Sequence, residues 1–263
     1  MKIYLAGQCP YPEAKAYADE KHGRYLYSYA YLKNKKPALL RREWAGQDIM
    51  LDSGGFSVRA SGGSISVTDY RKFLATMQGA FNHCLNLDTK SVEETLRNQG
   101  YLEQLQSIRR PLPVYHYSDW RSREHQGLLQ HYIDHGHEFI GIGGVAGVTM
   151  SKDIRKKYFD FCFHTVGKEA KLHGLGMTSM VLMMHYPFYS VDSKTWLVSG
   201  LYGDYITTKN ARYKRTAKKK GSLSHHGIML SGPEKMKRAV DAFVSLERQL
   251  TASWAKRGYI WNS

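Results

Sequence analysis

The run Ile49-Met50-Leu51-Asp52, followed at once by Ser53-Gly54-Gly55-Phe56-Ser57, is the stretch on which the fold turns. Three apolar residues closing on an aspartate have the length of a buried strand. The paired glycines after them let the chain turn sharply and approach a flat ligand closely. A helical spacing then begins at Thr68, read as an N-cap, and continues to Gln78. The same unit recurs outward in both directions. Strands are predicted over residues 3–6, 49–52, 83–88, 112–116, 139–143, 171–174, 188–192 and 204–207, and helices over 68–78, 91–108, 124–135, 151–166 and 179–185. This alternation predicts an α/β chain, a (β/α)8 TIM-type barrel forming a single domain over 1–263; an open doubly wound sheet has the same alternation and is the competitor. A last helix over 233–257, opened by Pro233 and stopped by Gly258, carries an apolar stripe of Met236, Val240, Phe243, Val244, Leu250 and Trp254.

Composition narrows the function classes. The 263 residues are 42% apolar and 13% aromatic, enough for one large core and too hydrophobic for disorder. No apolar run is long enough to span a membrane, and the opening MKIYLAGQCPYPEAK turns polar too soon for a signal peptide, so a cytoplasmic protein is expected. Cys9, Cys84 and Cys162 are odd in number and far apart, with no CxxC, which excludes a disulfide framework and a thiolate zinc site. Lysine and arginine number 38 against 23 acids, a formal charge of +15, and point to a polyanionic partner. Seven of those cations, Lys209, Arg212, Lys214, Arg215, Lys218, Lys219 and Lys220, fall in KNARYKRTAKKK, with Tyr213 among them to stack on a base; a solvated surface loop is the plainer reading of such a run.

In a parallel barrel the chemistry sits at the carboxyl ends of the strands. Asp52 ends IMLD, Asp88 ends CLNLD, His116 ends PVYH, Gly143 and Gly144 end FIGIGG, His173 ends its strand in KLHG, and Asp192 ends FYSVD. Each aspartate also reads singly as the cap of the next turn, and each histidine as a satisfied structural ring. Taken together they line one mouth. Paired carboxylates suit attack at an anomeric carbon, one as nucleophile and one moving a proton to and from the leaving group. His131, His135 and His137 in HYIDHGH have partial metal spacing but no fixed fourth ligand, and no metal is expected.

At these positions the chain resembles the tRNA-guanine transglycosylases, barrel enzymes that exchange guanine for a 7-deazaguanine base. LDSGGFS at 51–57 is similar to the family's aspartate-serine-glycine-glycine-aromatic signature. NLDTK, PVYH, GIGGVAG, KLHGLGMTS and YSVDSKTW then follow in the family's order across roughly residues 50–196. The zinc-binding C-terminal extension of the tRNA enzymes has no counterpart in this sequence, and the chain looks more like the compact phage and bacterial relatives that insert 7-deazaguanines into DNA. The resemblance implies a pentosyltransferase with Asp192 as nucleophile and Asp52 as general acid and base. Ser53, Gly54, Gly55, Phe56, Asp88, His116, Gly143, Gly144 and His173 would bind the base, and the 209–220 segment would hold the nucleic acid. It implies DNA as the polymer, with tRNA as the alternative, a free base such as preQ0, no cofactor, and a homodimer as a further partner. A nucleobase glycosylase and a noncatalytic nucleic-acid-binding barrel are the rival classes.

Overall fold

The computed structural model describes residues 1–55, 58, 62–145, 149–177, 179–202, 205–207, 214–216, 224–225, 228–229 and 231–261. The fold is α/β of the TIM-like (β/α)8 class, built on one sheet of eight parallel strands. The strands are β1 (Lys2–Ala6), β2 (Arg24–Ser28), β3 (Asp48–Asp52), β4 (His83–Cys84), β5 (Val114–His116), β6 (Phe139–Gly143), β7 (Lys171–Gly174) and β8 (Ser190–Ser193). Their order is β4-β3-β2-β1-β8-β7-β6-β5, and an isolated parallel bridge joins Leu85, just after β4, to Leu112, just before β5. No helix among the described residues is long and apolar enough to cross a membrane.

The structure corrects several expectations from the sequence. The strand expected at 204–207 does not belong to this sheet: Tyr205–Thr207 pairs antiparallel with Lys214–Thr216 in a separate two-stranded ribbon. The missing member is β2, RYLYS. Tyr25, Leu26 and Tyr27 are all buried, so the strand shows no alternation, and its tyrosines run straight on into the helical turn Tyr29–Leu32. Local β-propensity marks Tyr-Ile-Thr as a strand without saying which neighbour it pairs with. The second correction concerns Thr68, which lies inside the helix Val67–Thr76; the cap is Ser66, whose Oγ accepts from Asp69 N at 3.2 Å. Ser91, Ser151 and Ser179 cap the helices that follow them.

The strand expected over 83–88 keeps ladder pairing only at its start. Beyond it, Asn86 N donates to Leu112 O at 2.8 Å, and the next helix, Val92–Glu103, takes over. Asn98 Nδ2 donates to Leu87 O at 2.9 Å, Thr95 Oγ1 accepts from Thr89 N at 2.9 Å, and Asn86 Nδ2 donates to Thr95 O at 3.0 Å. The helix therefore buries Thr95, Asn98 and Gln99 beside Leu102, because a backbone that leaves a ladder must find its partners elsewhere.

The chain divides into two compact units, Met1–Arg24 with Gly176–Ser263, and Tyr25–Leu175. In the first, β1 pairs with β8, and the helix Gly232–Ala255 buries Met236, Val240, Phe243, Leu246, Leu250 and Trp254 along one face. Its Glu247 accepts from Ile3 N at 2.8 Å and pairs with Arg24, and Trp254 Nε1 donates to Met183 O at 2.8 Å. A capping box between Ser231 and Glu234 opens this helix.

In the second unit the core is rich in tyrosine, and two of its deepest hydroxyls reach carbonyls. Tyr70 donates to Leu85 O at 3.0 Å, and Tyr158 to Tyr115 O at 3.0 Å and Gly143 O at 3.2 Å. A charged cluster joins the helix Val92–Glu103 to the turn before β6. Arg110 Nε lies 3.0 Å from Glu103 Oε1, and His137 Nε2 lies 3.4 Å from the same oxygen. Burial, with Arg110 nearby, pushes the His137 ring down to about 4, whereas an unfolded histidine titrates near ~6.5. The folded state thus binds the proton less well. The ring's contribution is complete above about pH 6.5 and is lost as the pH falls towards 4. Urea unfolding at pH 7 and at about pH 4.5 should show the wild type losing roughly 2 kcal/mol more than His137→Gln between the two conditions. Equal losses would remove His137 as the acid-sensitive group.

Candidate active site at the strand ends

β3 delivers Asp52 half-buried and Ser53 fully buried at its carboxyl end. Gly55 N donates to Ser53 Oγ at 3.4 Å. Gly54 has φ +78°, and a Cβ there would sit 2.4 Å from Ser28 Oγ and 2.6 Å from Ala30 Cβ. Both the torsion and the space demand glycine. The Ser-Gly-Gly turn thus holds the exit of β3 against the exit of β2. Phe56 lies outside the described residues.

Asp88 and His116 are brought together. His116 Nε2 is 3.0 Å from Asp88 Oδ2, with the two side chains 20% and 10% exposed, so the pair is sheltered but reachable. A carboxylate only accepts, so the imidazole donates. His116 precedes the short helix Tyr117–Arg121, and its backbone N donates to Asp119 Oδ2 at 2.8 Å. Burial pushes the Asp119 carboxyl up, against that hydrogen bond and the nearby His116 and His125.

Gly143 and Gly144, at the end of β6, lie against this pair. A Cβ on Gly143 would be 3.2 Å from His116 Nδ1, and one on Gly144, at φ +77°, would be 2.9 Å from Tyr117 N. The Gly143 carbonyl already accepts from Tyr158. What the glycines do in the described structure is make room for the His116 ring and the following backbone. His173 on β7 is fully buried, with its ring edge-on to Phe139 at 6.4 Å.

Asp192 belongs to the other unit, on β8 opposite Tyr4 of β1. It is buried, and its Oδ1 accepts from Gly176 N at 2.7 Å. Gly176 has φ +63° in the loop that follows β7. That hydrogen bond fixes the direction in which the carboxylate points.

Of the basic segment, Lys214 and Arg215 lie on the strand that pairs with Tyr205–Thr207; Lys209, Arg212, Lys218, Lys219 and Lys220 lie outside the described residues. His131 and His135 lie with ring centroids 3.9 Å apart and planes tilted by 36° while His137 turns to Glu103, and the described residues hold no group of three or more His, Cys, Asp or Glu placed for a metal ion. A cavity of about 360 Å³ opens between the loop after β3 and the helix Val92–Glu103, lined by Gly55, Ser64, Leu87, Thr89, Lys90, Glu94 and Asn98 among others. Its size is that of a small-molecule site.

The sequence reading missed Asp119 and Gly176. Asp119 had a signal: His116-Tyr-Ser-Asp119 has the spacing of a capping box, in which the third helical residue reaches back to the cap. Gly176 acts through its N–H, which any residue but proline supplies, so composition is blind to it. Compared with known proteins, the chain matches no family model and no curated protein.

Proposed function

We propose that the protein is a base-exchange transglycosylase that replaces guanine in DNA with a 7-deazaguanine base of the preQ0 type. The observation that carries this reading is positional. Asp52, His116 and Asp192 all stand at or near the carboxyl ends of parallel strands, Asp88 just beyond one, and the Asp192 carboxylate is buried and oriented by the Gly176 N–H. Strand carboxyl ends are where barrels of this class do their chemistry.

The mechanism follows from the groups. An Asp192 oxygen attacks C1′ of a deoxyguanosine; the O–C1′ bond forms as the glycosidic C–N bond breaks. Asp52 gives its proton to the departing guanine. The incoming base then loses a proton to Asp52 and attacks C1′ through nitrogen, and Asp192 leaves as a free carboxylate. Asp88 accepts hydrogen bonds from the amide and amino donors of the base. A duplex target must flip its guanine outward, with the 209–220 segment on the phosphates.

The test offers duplex DNA and tRNA separately with labelled guanine, then separates nucleosides by mass. Label is expected in deoxyguanosine from DNA. Label only in tRNA nucleosides would change the polymer; abasic sites without label would mean a glycosylase; neither label nor abasic sites would leave a binding protein.

A further inference from the structure

His116 reads at first as one more donor to the base, but its geometry assigns it a different task. Its Nε2 is committed to Asp88 Oδ2 at 3.0 Å. Its backbone N is held by Asp119 Oδ2 at 2.8 Å, and its ring is seated over Gly143, where a Cβ would come within 3.2 Å of Nδ1. A ring packed against Gly143, on a backbone anchored by Asp119 and with its proton on a carboxylate, is built to orient that carboxylate.

We propose that His116 is a positioning residue that sets base selectivity: by holding Asp88 Oδ2 it aims the Asp88 carboxylate at the paired N–H donors of a guanine-type base. This rests on the transglycosylase reading above. A guanine-type edge presents an amide N–H beside an exocyclic amino group, and an oriented carboxylate, all acceptor, matches both. Without that hydrogen bond the carboxylate is held less closely in direction, and the preference for a base with the amino group over one without it weakens. Asp119 stands one step further out, as the anchor of the His116 backbone.

Two variants separate the hydrogen bond from the ring. His116→Phe keeps a ring over Gly143 and removes the donor; His116→Gln removes the ring and keeps an amide N–H of similar reach. Exchange into the polymer that the wild type uses is measured with free guanine and with free hypoxanthine, the same ring system lacking the amino group. His116→Phe is expected to raise KM for guanine more than it lowers kcat, and to cut the guanine-over-hypoxanthine preference about tenfold or more. His116→Gln should stay within about threefold of the wild-type preference. The inference is overturned if Phe keeps the preference, or if Gln is impaired as much as Phe, which is what a packing role alone would give. A wild type that exchanges no base in either polymer overturns the transglycosylase reading and this inference together. A wild type that exchanges guanine while His116→Phe remains selective overturns this inference alone.

Discussion

Asp192→Ala is expected to lower the exchange of labelled guanine into DNA by about a thousandfold or more, because in the proposed mechanism Asp192 forms the sugar ester that links departure of one base to attack by the next. Alanine also deprives the Gly176 N–H of its acceptor, so a loss of activity in that variant alone has two readings. Asp192→Asn separates them. The side-chain amide keeps an oxygen for Gly176 but is a very poor nucleophile, so it should be as inactive as alanine while melting close to the wild type. A covalent protein–DNA adduct, trapped by denaturing the wild type in mid-reaction, should be missing from both variants. Exchange in Asp192→Asn above a few per cent of wild type would remove Asp192 as the nucleophile.

How far the sequence reading carried depended on what each residue's partner was. The IMLD-SGG unit was legible because its three properties are local: a buried apolar run, a polar end, and a turn that only glycine fits, as the Ser28 and Ala30 contacts at Gly54 confirm. β2 was not legible, because tyrosine is apolar in its ring and polar at its tip, and a strand buried on both faces shows no alternation. The helix Val92–Glu103 was found with too long an end, and its inward Thr95, Asn98 and Gln99 escaped notice, since hydrophobic periodicity cannot see a polar side chain that faces in to satisfy a backbone. The resemblance casts Gly143 and Gly144 as base-binding residues; the need they visibly answer is the His116 ring, a contact made across two strands and so invisible in one segment. The strand-end aspartates were identifiable from position, but the Asp88–His116 hydrogen bond joins residues 28 apart in the chain, and only the fold brings them together.

Asp52→Asn is expected to give the second large loss, with a signature that differs from that of Asp192. Guanine leaves a sugar as an anion unless a proton reaches it in the transition state, and an acid in place contributes about 10²- to 10⁴-fold. The asparagine variant, isosteric at the half-buried end of β3, cannot supply that proton, so exchange from ordinary DNA should fall by about a thousandfold. A target guanine methylated at its N7 position carries a positive charge and departs as a neutral base without help. With DNA bearing 7-methylguanine, Asp52→Asn should therefore recover release of the modified base to within about tenfold of the wild type, whereas Asp192→Ala should not recover at all. Pre-steady-state release of 7-methylguanine, followed by chromatography of the free base, reads this directly. An Asp52 variant equally slow on both substrates would show that the residue does not act as the acid for the leaving group.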